Sequence, residues 1–145
     1  MHACIVLATV GAAPARIWSA WVGPLPTPGY LAATWRTVEA ANAGGAEVKL
    51  VRDADLPTLL PGMHPSFGDL SYVHRADYVR MALLHRYGGL WLDLETIALR
   101  NFSHLFRECV DDGMSVPSNQ GVIGPLRPNT TFTRTWQATQ YDVFL

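Results

Sequence analysis

The feature that most constrains this chain is the pair Gly88-Gly89, set between two apolar patterns of different period. From Tyr72 to Tyr87 the apolar positions Ala76, Val79, Leu83 and Tyr87 recur at spacings of three and four, which predicts a helix ending at the glycines. Leu90-Trp91-Leu92 follows at once, an apolar run short enough for a buried strand. Glycine enters left-handed conformations at little cost, so the pair permits a tight reversal that lays helix and strand side by side.

The rest of the chain alternates in the same way. Arg16 to Val22 reads as an extended apolar and aromatic segment, and Gly23-Pro24-Leu25-Pro26-Thr27-Pro28-Gly29 breaks it as a loop. Tyr30 to Ala43 is helical and stops at Gly44-Gly45, and Glu47 to Arg52 alternates as a strand. Strand, helix, strand in this order favours an α/β layer structure with parallel strands. Asp53 to Gly68 is rich in proline and glycine, with a short helix expected near Leu56 to Leu60. Ile5 to Val10 reads as an opening strand, Gly121 to Gly124 as a later one, and Thr131 to Tyr141 as a final helix.

Bulk properties narrow the function classes. A chain of 145 residues, 49% of them hydrophobic and 16% charged, is expected to form one domain over 1–145 with a single core. The net charge is −1 and the arginines are scattered, so there is no electrostatic footprint for nucleic acid. The apolar stretch Ala3 to Val10 is too short to span a bilayer and has no preceding Lys or Arg, so no transmembrane segment is expected and a cytoplasmic location is favoured over a secreted one. Cys4 and Cys109 lack metal-ligand spacing and read as separate buried thiols. The five histidines show no ligand spacing either, although His74 precedes Asp77 and Tyr78 by one turn. Asp111-Asp112-Gly113 reads as a turn.

Four charged residues around the double glycine carry the chemistry. Asp77 and Arg80 are three apart on the helix and share a face. Asp93 and Glu95 are two apart at the strand end, so the period of the pleat is expected to send both carboxylates one way while Leu94 turns into the core. Two facing anions repel unless a cation joins them. A hard divalent ion, Mn²⁺ or Mg²⁺, is the natural partner, since it takes one or two carboxylates and fills its other positions with substrate phosphates. The carboxyl end of a strand is also where open α/β sheets bind ligands.

Ala76-Asp77-Tyr78-Val79-Arg80, Gly88-Gly89 and Trp91-Leu92-Asp93-Leu94-Glu95 together resemble the D-x-D sugar-transferases that include capsular polysaccharide synthesis proteins, initiating mannosyltransferases and glucosylating bacterial toxins. The pattern shared by that family is Ser-Asp-x-x-Arg on a helix, Gly-Gly, then Tyr-x-Asp-x-Asp. Ala76, Trp91 and Glu95 depart from it, in place of Ser, Tyr and the last Asp. Ile17 to Pro26 is similar to the family's opening Ile-His-Gln-Ile-Trp-x-Gly strand and proline loop, and Ser118-Asn119-Gln120-Gly121 resembles a short Asn-containing segment near the donor.

The resemblance implies a GT-A-like fold, a mostly parallel Rossmann-like sheet flanked by helices. It implies a retaining glycosyltransferase that moves a sugar from a UDP- or GDP-linked donor to a glycan or other hydroxyl acceptor. Asp93 and Glu95 would hold the metal, Asp93 through water or while holding the ribose. Asp77 would bind sugar hydroxyls, Arg80 would lie between sugar and phosphate, and Trp21 would flank the base. Trp91 and Asn119 complete the expected donor contacts, and no general base is assigned. Family relatives carry a longer C-terminal part, whereas this chain ends at Leu145, so a nucleotide-sugar-binding module without turnover is the alternative reading.

Two other enzyme classes fail on specific residues. Leu92-Asp93-Leu94-Glu95-Thr96 is similar to the D-x-D-x-T loop of haloacid-dehalogenase-type phosphatases, which need a downstream lysine, and Lys49 is the only lysine. The D-x-E strand of family 18 chitinases needs an acid where Trp91 stands and a barrel of about 250 residues.

Overall fold

In a computed structural model, residues 15–107 and 121–144 are described. The expected strand at Ile5 to Val10, the turn at Asp111 to Gly113, Asn119 and both cysteines lie outside them. The described residues build a four-stranded sheet flanked by five helices, an α/β arrangement consistent with a GT-A-like fold. Strand β1 (Arg16–Ala20) is central, with β2 (Glu47–Val51) on one side and β3 (Gly89–Leu92) on the other, both parallel to it. Strand β4 (Val122–Leu126) lies beyond β3 and runs antiparallel to it. The sheet order is β2-β1-β3-β4.

The pleat divides the core into two layers. Trp18, Ala20 and Trp91 face a cluster built with helix α3 (Tyr72–Tyr87), the short α2 (Leu56–Leu59) and α5 (Thr131–Phe144). Ile17, Leu90 and Leu92 face the opposite cluster, with α1 (Gly29–Asn42) and α4 (Ser103–Arg107). One-residue alternation along β1 and β3 thus assigns each helix to its side of the sheet.

Local signals set the bounds of α3. The Ser71 hydroxyl accepts from the His74 amide at its start, and Gly88, with φ 66° and ψ −161°, ends it. Gly89 follows at φ 103°. A Cβ on Gly88 would lie 2.5 Å from the Leu126 carbonyl oxygen, and one on Gly89 would lie 2.7 Å from that of Arg16. The glycines therefore serve two ends, a reversal open only to glycine and a backbone approach that leaves no room for a side chain. The Trp18 indole donates to the Gly88 carbonyl at 2.8 Å, tying the reversal to the central strand.

Helix α1 governs the segment after β3 through its polar residues. The Thr34 hydroxyl donates to the Leu94 carbonyl, the Thr37 hydroxyl accepts from the Ala98 amide at 2.9 Å, and Asn42 Oδ1 accepts from the Phe102 amide at 2.9 Å. These three contacts peg a stretch that has no regular structure of its own.

Helix α5 packs across α3, and the burial of His85 between them is expected to make stability depend on pH. His85 Nδ1 lies 3.1 Å from the Thr133 hydroxyl. Burial, aided by the positive charge of Arg134, pushes the His85 imidazole below its ordinary value of 6.5. The fold thus favours neutral His85. That contribution is complete above the unfolded value and is lost as pH falls through the lowered folded one. Thermal melts between about pH 7 and about pH 5 are expected to show a smaller loss of stability in His85→Gln than in the parent. Equal pH slopes in the two proteins would exclude the effect.

Candidate functional site

Beyond the carboxyl ends of β1 and β3 the chain lines an open cavity of about 550 Å³. Its walls come from three places. After β1, Trp21, Val22, Gly23, Pro24 and Leu25 form one side; after β3, Asp93, Leu94 and Glu95 form the next; the first half of α3 supplies Tyr72, Val73, Ala76, Asp77 and Arg80. Trp91 and Leu31 also line it.

Trp21, Asp77, Arg80, Trp91, Asp93 and Glu95, singled out in the sequence, therefore share one cavity, although they are spread over 75 positions from Trp21 to Glu95. Asn119 lies outside the described residues. His74 is exposed and does not line the cavity.

Asp77 and Arg80 meet as expected, in a salt bridge between Asp77 Oδ1 and an Arg80 terminal nitrogen. Arg80 also approaches Asp93, with Nη1 4.0 Å from Oδ1. The same Oδ1 accepts from the Trp91 indole nitrogen at 2.8 Å. Trp91 itself is only 3% exposed, so its main part is core and a ligand meets no more than an edge of it. Its Nε1 orients the carboxylate.

The pleat does not place the second carboxylate. Strand β3 ends at Leu92, and Asp93 to Thr96 form a turn closed by the Thr96 amide donating to the Asp93 carbonyl at 3.0 Å. Leu94 is buried as expected, but the turn, with Thr34 pinning the Leu94 carbonyl, is what leaves Glu95 exposed at the cavity edge. Glu95 makes no hydrogen bond or ion pair among the described residues.

Trp21 sits at the end of β1, half-buried against the α1-side cluster. Its amide donates to the Val51 carbonyl at 2.9 Å and its indole nitrogen to the Leu25 carbonyl at 2.7 Å. The second bond folds the proline loop back on itself. Asp53 secures the same loop by accepting from the Gly23 amide at 2.7 Å.

The charged residues of the lining are three carboxylates, Asp77, Asp93 and Glu95, and one guanidinium, Arg80, for a formal charge of −2. A diphosphate entering such a site meets net repulsion unless cationic charge comes with it. The donor set suits a hard divalent ion. Asp93 and Glu95 supply two carboxylates, the number that Mg²⁺ or Mn²⁺ takes when phosphates and water complete the shell. Among the described residues no group of three or more His, Cys, Asp or Glu side chains forms an all-protein cage.

Several contributors have no counterpart in the motif. Tyr72 and Val73 from the first turn of α3 form an apolar wall, and Thr34 fixes the turn that carries Glu95. From α5, Trp136 packs against Arg80, with the guanidinium carbon 5.5 Å from the ring centroid, and the Gln140 side chain donates to the Asp77 carbonyl at 3.3 Å. The recurrence of Phe132, Trp136 and Gln140 every four residues was the available signal, since it marks one face of α5.

A family model described as a glycosyltransferase sugar-binding region containing a DXD motif matches residues 54–113. The match takes in Asp77, Arg80, the double glycine, Trp91, Asp93 and Glu95, and leaves out Trp21 and α5. No curated protein matches the chain. The segment that carries the charged half of the cavity is thus similar to the sugar-binding region of glycosyltransferases, which supports a transferase of nucleotide sugars at that general level. No helix among the described residues is long and apolar enough to cross a membrane.

Proposed function

We propose that the cavity binds a nucleoside diphosphate sugar together with Mn²⁺ or Mg²⁺, and that the protein transfers the sugar to a hydroxyl of a glycan or other acceptor. The observation that carries this reading is the convergence of Asp77, Arg80, Asp93 and Glu95 with apolar and aromatic walls in one cavity, within a stretch similar to a sugar-binding region. Its volume of about 550 Å³ is in the ordinary range for small-molecule sites.

The two kinds of wall suit the two ends of such a donor. Trp21, Leu25, Tyr72 and Val73 offer apolar area to a base and ribose. Asp77 accepts hydrogen bonds from sugar hydroxyls, and Arg80, already paired with it, donates to the phosphate oxygen nearest the sugar. Asp93 and Glu95 hold the cation, whose charge when bound offsets the negative charge that grows on the departing diphosphate. Asp93 is pre-aimed for that task by the Trp91 indole. Transfer with retention of configuration and a preference for UDP or GDP follow from the family resemblance, and no residue is given the role of general base.

Calorimetry with UDP and GDP, each with and without Mn²⁺, tests binding. The expected result is binding that requires the metal, and absence of binding to either nucleotide under both conditions would overturn the proposal. Release of nucleotide from UDP-glucose, UDP-galactose or GDP-mannose with Mn²⁺ tests turnover. Metal-dependent binding with no released nucleotide from any of the three would leave a binding module in place of an enzyme.

A further inference from the structure

Arg80 stands between competing pulls. Asp77 pairs with it directly, and Asp93 lies 4.0 Å from its Nη1 on the opposite element. Its Nη2 meets Asp77 while its Nη1 faces Asp93, so a shift toward either carboxylate would change where the plane of the guanidinium points. Two aromatic rings also restrain that plane. The guanidinium carbon is 5.9 Å from the Trp91 ring centroid and 5.5 Å from that of Trp136, and the side chain is 18% exposed.

We propose that Trp136 is a positioning residue of the donor site, holding the Arg80 guanidinium against Trp91 in the orientation that meets the sugar-linked phosphate. The ligand-binding part of this inference rests on the function proposed above. Trp136 does not line the cavity and acts only through Arg80. It is itself held by Phe132, whose ring centroid lies 5.5 Å away, and both rings pack on the α3-side cluster. One turn further along α5, Gln140 is buried and its amide donates to the Asp77 carbonyl at 3.3 Å. Helix α5 thus braces both members of the Asp77 and Arg80 pair from behind, one by a ring face and one by a hydrogen bond. A ring face is a fitting brace for a guanidinium because it attracts the cation without taking up the N–H groups that a ligand needs.

The test compares Trp136→Phe, which keeps a ring, with Trp136→Leu, which keeps apolar volume without one. Arg80 Hε, assigned by its disappearance in Arg80→Lys, is followed by NMR in the full chain without ligand. It is expected to be shifted by ring currents in the parent, to stay shifted in Trp136→Phe and to revert in Trp136→Leu. In titrations with Mn²⁺ present, Trp136→Leu is expected to bind UDP-glucose about tenfold more weakly than the parent, with uridine binding unchanged, because uridine lacks the groups Arg80 meets. Trp136→Phe restores most of the affinity. A general loss of structure would weaken both ligands.

An unshifted Arg80 Hε in the parent overturns the positioning claim without any variant, so the claim stays testable if Trp136→Leu does not fold. Equal UDP-glucose affinity in the parent and Trp136→Leu also overturns it. A parent that binds no sugar nucleotide defeats the donor reading instead, and the Hε shift then decides the position of Arg80 alone.

Discussion

Gly88→Ala is expected to leave the protein largely unfolded or insoluble under conditions where the parent is stable. Gly88 has φ 66° and ψ −161°, a region essentially restricted to glycine, and forcing another residue there costs about 1–3 kcal/mol. The new methyl group would also meet the Leu126 carbonyl oxygen at 2.5 Å and the Pro128 nitrogen at 2.9 Å. The first belongs to the last residue of β4 and the second to the turn that follows it, and neither backbone atom can rotate away. Relieving the clash by displacement adds about 1–3 kcal/mol, and moving Gly88 also disturbs the bond that its carbonyl accepts from Trp18. Against a total stability of about 5–15 kcal/mol, the combined loss is large. Gly44→Ala is the control, because Gly44 has φ 76° but nothing within 4 Å of the added carbon. Denaturant titration followed by circular dichroism is expected to show a modest shift for Gly44→Ala and collapse for Gly88→Ala. Equal midpoints for the two variants would show that close approach to β4 is not what demands the glycine.

Asp93→Asn is expected to weaken metal-dependent nucleotide binding on the order of 100-fold while leaving the fold intact. Asparagine keeps an oxygen that accepts from the Trp91 indole, so the turn keeps its anchor. The lost attraction to Arg80 acts across 4.0 Å between groups 18% and 34% exposed, and weakens stability by no more than about 1 kcal/mol. Binding is another matter. In the proposed site the substitution would remove one of two anionic metal donors, and affinity for the nucleotide with Mn²⁺ is expected to fall on the order of 100-fold, the upper end of losses seen even for groups behind the ligands. Calorimetry in parallel with a thermal melt checks both halves. A variant that melts like the parent and binds UDP or GDP with unchanged affinity would remove Asp93 from the metal site.

How much of this was written in the sequence differs from element to element. The bounds of α3 and the start of β3 were legible because their causes are local, an apolar spacing along the helix and a glycine reversal at its end. The pairing of Asp77 with Arg80 was legible for the same reason, being a matter of helical spacing. The antiparallel direction of β4 was not, since direction is set by partner strands and the connection, and not by the composition of the strand. The 3₁₀ turns at Asp53–Asp55 and Pro65–Asp69 and the short α4 were missed within or beside segments that read as loops. At the site, a pleat was expected to carry Asp93 and Glu95, whereas the strand gives out one residue earlier and a turn braced by Thr34 does the carrying. For Trp136 and Gln140 the shared helix face was legible but not its partner, because nothing in a helix periodicity says which helix it will pack against.

Strands β1 and β3 are immediate neighbours in the sheet, and the residues that leave their ends form facing walls of the cavity. The span from the Trp21 side to the Asp93 side is therefore inherited from the spacing of two hydrogen-bonded strands, a dimension that surface substitutions do not alter. The proline loop and the first turn of α3 carry no such restriction. The cavity is built like a gauge with one fixed jaw and interchangeable facings: Leu25, Tyr72 and Val73 are exposed at its lining, so their exchange would reshape that side while the fixed side keeps its measure.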